Sequence, residues 1–309
     1  SPGEIVTCTF TNEKLATIIL VKNTLGGDGS FDFDATGTGL PADIDLVTVG
    51  GTASSTFENL DPDNTYTIAE TVPGGWDLIS ATCDNGDPAN NITPNAGEVI
   101  TCTFTDEADA NIVVVKQTDP DGSLQSFEFD PSYAANFFLS DGQSNDSGDL
   151  SPGTYSVSEI VPAGWDLTSA TCTDGTPASI SLQAGETVTC TFNNQKDAFI
   201  IVDKVTDPAG DPTLFDFTTS YGLPFSLTDA TAPNNSSDLV PGTYSVAEAA
   251  EPGWDPTSAT CDDGSPVGAI SLQAGETVTC TFDNTKQGKI TIVKDAQPND
   301  CQNFSFAMT

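Results

Sequence analysis

The feature that most constrains this chain is a ten-residue segment that occurs four times. GEIVTCTFTN (residues 3–12) returns as GEVITCTFTD (97–106), GETVTCTFNN (185–194) and GETVTCTFDN (275–284). Its cysteine recurs about every ninety residues along the chain. Self-similarity at a fixed period indicates tandem copies of one structural unit. The 309 residues are therefore not one domain but an array.

Three further segments keep the same order inside each period. A strand-like segment ends in lysine: ATIILVK (16–22), NIVVVK (111–116), FIIVDK (199–204) and KITIVK (289–294). A tyrosine segment follows: NTYTIAE (64–70), PGTYSVSE (152–159) and PGTYSVAE (241–248). A Trp-Cys segment comes next: GGWDLISATC (74–83), AGWDLTSATC (163–172) and PGWDPTSATC (252–261). All are short, rich in β-branched and aromatic residues, and bounded by glycine or proline turns, which predicts strands.

The repeat boundaries divide the chain into three whole units and two partial ones. The size of each whole unit matches a seven-strand β-sandwich. Because the connections are only a few residues long, we expect the sandwiches to be stacked end to end as a stiff rod. The segments are a last strand of a preceding repeat (1–13), repeat 1 (14–107), repeat 2 (108–195), repeat 3 (196–285) and the first strands of a following repeat (286–309). The partial repeats indicate either a longer array or ends that complete each other between subunits.

The charge composition excludes several classes of function. The chain has 45 acidic residues against 8 lysines, no histidine, and a net charge of −37. Such a chain repels phosphate backbones and anionic lipid, so we expect no nucleic-acid binding. No apolar run is long enough to span a membrane, and we expect no membrane insertion. The missing histidine removes the commonest general base, and we expect no enzyme activity.

Each whole repeat has two cysteines, one closing the Trp-Cys segment and one in the last strand. The predicted disulfides are Cys83–Cys102, Cys172–Cys190 and Cys261–Cys280. Free thiols are disfavoured in a secreted-looking chain with such regular pairs, and zinc lacks a CxxC spacing. We expect Cys8 to pair with a preceding repeat, whereas the pairing of Cys301 stays open. We expect the tryptophan of each Trp-Cys segment to pack against the disulfide.

Alternation along the strands points three polar side chains of each repeat toward its interior. In FIIVDK, Asp203 must face solvent, which places Lys204 on the inner face. In PGTYSVSE the serines face out, which leaves Glu159 inside, and the outward threonines of the last strand leave Asn194 inside. Buried groups of this kind must meet, because leaving them unpaired costs several kcal/mol. They form either a hydrogen-bonded ion pair or, by attack of the lysine amine on the Asn or Asp carbonyl, an isopeptide bond.

These segments resemble the prealbumin-like repeats of bacterial surface proteins, the Cna B-type and SpaA-like domains. The resemblance rests on the Lys-ending first strand, the Tyr-x-Val-x-Glu strand and the last strand ending in Asn, and it covers nearly the whole chain. It implies an all-β array of transthyretin-like or prealbumin-like sandwiches. By position it implies triads for an isopeptide or a buried ion pair at Lys22–Glu70–Asp106, Lys116–Glu159–Asn194 and Lys204–Glu248–Asn284. A disulfide in the same last strand departs from the isopeptide-forming pattern.

Two functions follow from this pattern. The first is a structural role in an extracellular filament or cell-surface stalk, with copies of itself or further repeats as partners. The alternative is an adhesin that binds a sugar or a host protein through its loops, for which residues 133–138 are the nearest candidate. We expect no cofactor; the Asp119–Ser123 loop only begins like a calcium loop. Five sequons are candidate glycosylation sites: Asn91, Asn145, Asn234, Asn235 and Asn303.

Overall fold

The computed structural model describes residues 1–295 and residue 305. Those residues contain 25 β-strands and no helix. None of the described segments is therefore a helix that could span a membrane. The chain divides into two compact units, Ser1–Gln195 and Lys196–Thr309. The first unit contains repeats 1 and 2, and the second contains repeat 3. The prediction of an all-β repeat array is confirmed.

Repeat 1 has seven strands in two sheets. They are β1 (Ala16–Leu25), β2 (Ser30–Thr36), β3 (Asp43–Val47), β4 (Thr52–Leu60), β5 (Thr67–Thr71), β6 (Trp76–Cys83) and β7 (Val99–Ala108). One sheet has the order β4-β1-β7-β6 and the other β3-β2-β5. The first and last strands, β1 and β7, are parallel neighbours, and β6 runs antiparallel to β7. The core lies between the sheets, where alternate residues of each strand are buried.

Repeat 2 follows the same plan with shorter strands. They are β8 (Asn111–Asp119), β9 (Phe127–Pro131), β10 (Phe137–Leu139), β11 (Ser144–Asp146), β12 (Gly153–Tyr155), β13 (Val157–Ile160), β14 (Trp165–Cys172), β15 (Ile180–Leu182) and β16 (Thr187–Lys196). The sheets are β11-β8-β16-β14 and β10-β9-β13, with an added pair β12-β15. In repeat 1 the same pair is a single bridge between Tyr66 and Ile92.

Repeat 3 reproduces repeat 2 strand for strand. Its strands are β17 (Phe199–Asp207), β18 (Phe215–Thr219), β19 (Phe225–Leu227), β20 (Asn234–Asn235), β21 (Gly242–Tyr244), β22 (Val246–Glu248), β23 (Trp254–Cys261), β24 (Ile270–Leu272) and β25 (Thr277–Lys286). The sheets are β20-β17-β25-β23, β19-β18-β22 and the pair β21-β24. Each repeat thus has its own core, built from buried residues of its own sheets.

Repeats 1 and 2 touch closely inside the first unit. A Cβ on Gly26 would lie 2.5 Å from the carbonyl carbon of Ala184, so this approach requires glycine. The Ser151 hydroxyl of repeat 2 donates to Asp77 of repeat 1 at 2.7 Å. The short connection predicted from the sequence therefore brings these two repeats into direct contact.

The described parts of the two partial repeats, residues 1–13 and 287–295, lie outside the strands. Residues 3–12 are exposed and unpaired even though their sequence matches β7, β16 and β25. Residues 289–295 are likewise exposed, and their sequence matches the first strands. Neither segment has the neighbouring strands that a sandwich supplies, and an isolated strand does not bury enough surface to be stable.

Candidate functional site

The first and last strands of each repeat bring the predicted lysine and its Asn or Asp partner together. In repeat 1 the parallel register places Lys22 opposite Phe104 and Thr24 opposite Asp106. Because alternate side chains share a face, Lys22 and Asp106 both point into the core, two positions apart along the ladder. Repeats 2 and 3 have the same register, with Lys116 opposite Phe192 and Lys204 opposite Phe282.

The glutamate of each triad comes from the other sheet. Glu70 lies on β5, Glu159 on β13 and Glu248 on β22, each an edge strand of the three-stranded sheet. The lysine and glutamate side chains therefore meet across the core. In all three pairs, each side chain is at most 9% exposed. The structure brings all three predicted triads together at one place in each repeat.

Repeat 1 places two carboxylates on one lysine. The Nζ of Lys22 lies 2.6 Å from Oε1 of Glu70 and is also in contact with a carboxylate oxygen of Asp106. All three side chains are fully buried. Burial raises the pKa of Glu70, and the hydrogen bond from Lys22 opposes that shift. The cluster is held by ionic attraction, with one more acidic group than basic groups.

Repeat 2 pairs its lysine directly with the amide. The Nζ of Lys116 donates to Oδ1 of Asn194 at 2.8 Å and to the carbonyl oxygens of Gln117 and Phe192 at 2.6 and 3.3 Å. Oε1 of Glu159 lies 3.5 Å from the same nitrogen. Burial lowers the pKa of Lys116 and raises the pKa of Glu159, although their mutual attraction opposes both shifts.

Repeat 3 has the same residues in a different hydrogen-bonding state. The Nζ of Lys204 donates to the carbonyl oxygens of Val205 and Phe282, each at 2.9 Å, and lies 3.9 Å from Oε1 of Glu248. Nδ2 of Asn284 donates to that same oxygen at 2.6 Å. Burial again lowers the pKa of Lys204 and raises that of Glu248. In repeat 3 the glutamate therefore accepts a hydrogen bond from the asparagine amide rather than from the lysine.

In repeats 2 and 3, burial shifts the pKa values of the lysine and the glutamate toward their neutral forms. A neutral amine is the nucleophilic form of lysine, and a protonated carboxyl can donate a hydrogen bond to a carbonyl oxygen. One amide atom in each of two repeats also lacks a hydrogen-bond partner among the described residues, namely Nδ2 of Asn194 and Oδ1 of Asn284. The site can therefore hold an ion pair or carry out amide exchange between lysine and asparagine.

Sequence reasoning missed one aromatic residue in each site. In each repeat the Nζ of the triad lysine lies over a phenylalanine ring. The distances to the ring centroid are 4.2 Å for Lys22 and Phe31, 4.2 Å for Lys116 and Phe127, and 4.3 Å for Lys204 and Phe215. Each phenylalanine belongs to a Phe-x-Phe strand, and that recurring pattern is the signal that could have identified it. The ring excludes water from the lysine while its face attracts the ammonium form.

The structure joins the cysteines as predicted. Disulfides link Cys83 to Cys102, Cys172 to Cys190 and Cys261 to Cys280, with Cα atoms 3.9, 4.0 and 4.0 Å apart. Each bond ties the last strand to the Trp-Cys strand beside it. Cys8 is exposed and forms no disulfide with a described cysteine. Cys301 lies outside the described residues.

The tryptophans do not pack against the disulfides. Trp76 and Cys83 are the two ends of the eight-residue strand β6, which separates them by about 23 Å. Trp76 instead packs edge-on against Phe31 at 5.1 Å, and Trp165 and Trp254 contact the equivalent phenylalanines. The expectation failed because nearness in sequence along a strand is not nearness in space.

The remaining candidate sites can also be placed. In the Asp119–Ser123 turn, the backbone N–H groups of Thr118 and Gly122 donate to Asp141 at 2.6 and 2.7 Å. Within residues 1–295 and 305, no three acidic or cysteine side chains are grouped to hold a metal ion.

Two of the sequon serines also have a structural role. Ser147 and Ser236 accept hydrogen bonds from backbone N–H groups.

Several solved structures are similar to this chain, all at low identity. The Bacillus anthracis TIE protein has 16% identity and a TM-score of 0.36, over 88% of this chain and 51% of that one. The Bacillus cereus major pilin subunit BcpA has 12% identity and a TM-score of 0.37, over 89% and 100%. The Streptococcus pyogenes major pilin T-13 has 16% identity and a TM-score of 0.28, over 61% and 98%. This chain thus spans about half the length of TIE. No curated protein sequence matches it.

A family comparison is more specific because it matches each repeat separately. The model described as "Prealbumin-like fold domain" matches residues 18–108, 112–196 and 200–286. Together these segments cover most of the chain, and each begins within the first strand of a repeat and ends in or at the end of the last one. The chain therefore belongs to the prealbumin-like fold domain family, as three tandem copies.

Proposed function

We propose that this chain is a load-bearing segment of an extracellular filament or cell-surface stalk. The observation that carries the proposal is the same buried Lys–Glu–Asn/Asp set between the first and last strands of all three repeats. Its role is structural rather than enzymatic, and copies of itself or further repeats are the expected partners. An oxidising, extracellular location follows from the disulfide in each repeat.

The strand order makes the position of the triad mechanically important. Tension along the chain enters a repeat through its first strand and leaves through its last strand, and these two strands are parallel neighbours. A bond from Lys22 to Asp106 passes the load directly between them. The rest of the sandwich then carries little of it, so the repeat cannot unravel from its ends.

The proposal includes an isopeptide bond at each triad. In repeats 2 and 3 the neutral amine attacks the Asn carbonyl carbon; the new C–N bond forms, the bond to the amide nitrogen breaks, and ammonia leaves with the amine proton. In repeat 1 the same attack on protonated Asp106 releases water. The buried glutamate polarises the carbonyl and transfers the proton. The pKa shifts at Lys116 and Glu159 support this chemistry, because both favour the reactive forms.

Intact-mass measurement of the full chain tests the bond. We expect the mass to fall by two ammonia molecules and one water relative to the disulfide-bonded sequence. A Lys116→Arg variant is a matched control, because arginine keeps the charge but cannot form the amide. The mass of this variant should fall by only one ammonia and one water. If the unaltered chain has the full mass of the disulfide-bonded sequence, the isopeptide bond is removed from the proposal.

Electron microscopy separates the two proposed assemblies. Ordered polymers support a filament, and isolated rods support a stalk.

The adhesin alternative gains no support from its candidate loop. Phe137 stacks on Phe129 with ring centroids 5.3 Å apart, and Tyr133 packs edge-on against Tyr155. These aromatic side chains contribute to the repeat's own packing. Of the three aromatic side chains in residues 133–138, only Phe138 is largely exposed, at 60%.

A further inference from the structure

In repeats 1 and 3, the edge strand beside the last strand has an extra residue next to the triad. In repeat 3, Pro256 pairs with Asn284 but Ser258 pairs with Asp283, which leaves Thr257 as a bulge. Repeat 1 has the same shift between Leu78 and Ser80. A bulge disrupts the ladder and leaves backbone groups without their usual partner. The affected carbonyl belongs to the residue immediately before the Asn or Asp of the triad.

A threonine on the edge strand satisfies this carbonyl in two repeats. The Thr257 hydroxyl donates to the carbonyl oxygen of Asp283 at 2.9 Å. In repeat 2, the Thr168 hydroxyl donates to the carbonyl oxygen of Asn193, also at 2.9 Å. The equivalent residue in repeat 1 is Ile79, which has no hydroxyl.

The next residue of the edge strand makes a second bond to the same position. Nδ2 of Asn193 donates to the Ser169 hydroxyl at 2.8 Å. In repeat 3 the Ser258 hydroxyl donates to the Asp283 carboxylate. We call each Thr-Ser pair, Thr168–Ser169 and Thr257–Ser258, an edge clamp. Both edge clamps hold the residue that directly precedes the triad asparagine.

The clamps occur where the triad has an amide and not where it has a carboxylate. Asp106 contacts Lys22 as an ion pair, so charge draws it to the amine before the proton moves between them. A neutral amide has no such attraction, and in repeat 3 the amide of Asn284 faces Glu248 instead of Lys204. Bond formation needs the amine and the carbonyl carbon aligned within a few tenths of an ångström, so the backbone of the asparagine must be fixed by other contacts.

We propose that Thr168 and Thr257 are positioning residues for the Lys–Asn crosslinks. Each holds the carbonyl before the asparagine and thereby sets the distance from the amide to the lysine. This inference rests on the proposed isopeptide bond. It assigns a role to a residue that touches neither reacting atom and that repeat 1 does not need.

Refolding of the full chain tests the inference. Chain purified under denaturant, in which the triads have never assembled, is diluted into a redox buffer, and samples are quenched in acid at intervals. Peptide mapping then gives the crosslinked fraction of each repeat separately. With Thr168→Val, we expect the Lys116–Asn194 crosslink to form about two- to tenfold more slowly, the range that one lost hydrogen bond gives. Repeats 1 and 3 serve as internal references at their unaltered rates.

Two further variants separate positioning from general stability. Thr168→Ser keeps the hydroxyl and should keep most of the rate, whereas Thr171→Val makes the same change at an exposed position of β14 and should not alter it. Thr257→Val should slow repeat 3 alone. Unaltered crosslinking rates in Thr168→Val and Thr257→Val, with crosslinks present in the unaltered chain, overturn the inference. Absence of any crosslink in the unaltered chain instead overturns the proposed function beneath it.

Discussion

Repeat 1 and repeat 2 solve the same packing problem with different charges. Both bury a lysine from the first strand and a glutamate from the opposite sheet, but the third residue is Asp106 in one and Asn194 in the other. Repeat 1 therefore contains one net negative charge at its centre when all groups are ionised, and repeat 2 contains none. Because the first and last strands pair in the same register in both repeats, the two triads are placed alike and can be compared through their third residue.

The largest expected difference is the cost of removing the lysine. Lys22→Met leaves two buried carboxylates without a counter-charge and should destabilise repeat 1 by about 3–5 kcal/mol. Lys116→Met leaves only Glu159, which can take up a proton, and should cost about 1–3 kcal/mol. Hydrogen exchange followed by mass spectrometry measures each repeat within the full chain. Equal costs in the two repeats would show that the second carboxylate, Asp106, adds nothing to the cost of removing the lysine.

The disulfides should show the opposite behaviour, with equal effects in every repeat. They close loops of nearly the same length, with cysteines 19, 18 and 19 residues apart. The chain-entropy estimate gives about 3 kcal/mol for each. Paired Cys→Ser substitutions in one repeat at a time, with unfolding followed by hydrogen exchange, measure this cost. A much smaller loss in one repeat would indicate that the isopeptide bond restrains the unfolded chain of that repeat more completely than in the other two.

The alternation of strands explains why the sequence was sufficient to find the triads. In a strand of period two, one outward residue such as Asp203 fixes the face of Lys204, and the repeat then transfers that assignment to Lys22 and Lys116. The same logic placed Glu159 and Asn194 in the core. Strand alternation does not predict how closely the second sheet packs against the first one, or which side chains meet between them. The phenylalanine under each lysine and the different hydrogen bonds of Asn194 and Asn284 depend on distances across the core.

The bulge beside Asn284 could not be predicted from the sequence pattern either. Its extra residue lies within WDPTSATC, which reads as an uninterrupted strand, and only the register shift at Pro256 reveals it. The failed expectation for the tryptophans has the same origin. Local pattern determines which face a side chain is on, whereas pairing between strands determines what it meets.

The prediction that separates the two repeats most sharply is the pH dependence of crosslinking. In repeat 2 the reactive state has a neutral Lys116 and a protonated Glu159. It carries the same number of protons as the resting ion pair, because a proton has only moved from one to the other. Burial lowers the pKa of the lysine and raises that of the glutamate, and both shifts favour this transfer. The crosslinking rate of repeat 2 should therefore be nearly flat between about pH 5 and pH 8.

Repeat 1 needs one proton more. Asp106 must be protonated to release water, and Glu70 must be protonated to polarise the carbonyl, while Lys22 has a proton to give to only one of them. Burial raises the pKa of Glu70, so this extra proton is bound at low pH and lost as the pH rises through that value. The crosslinking rate of repeat 1 should then fall by up to about tenfold per pH unit. Refolding at a series of pH values measures both repeats in one sample. Asp106→Asn removes the need for the second proton and should make repeat 1 as flat as repeat 2; a flat profile in the unaltered repeat 1 would mean that Glu70 acts while ionised, as a base rather than as an acid.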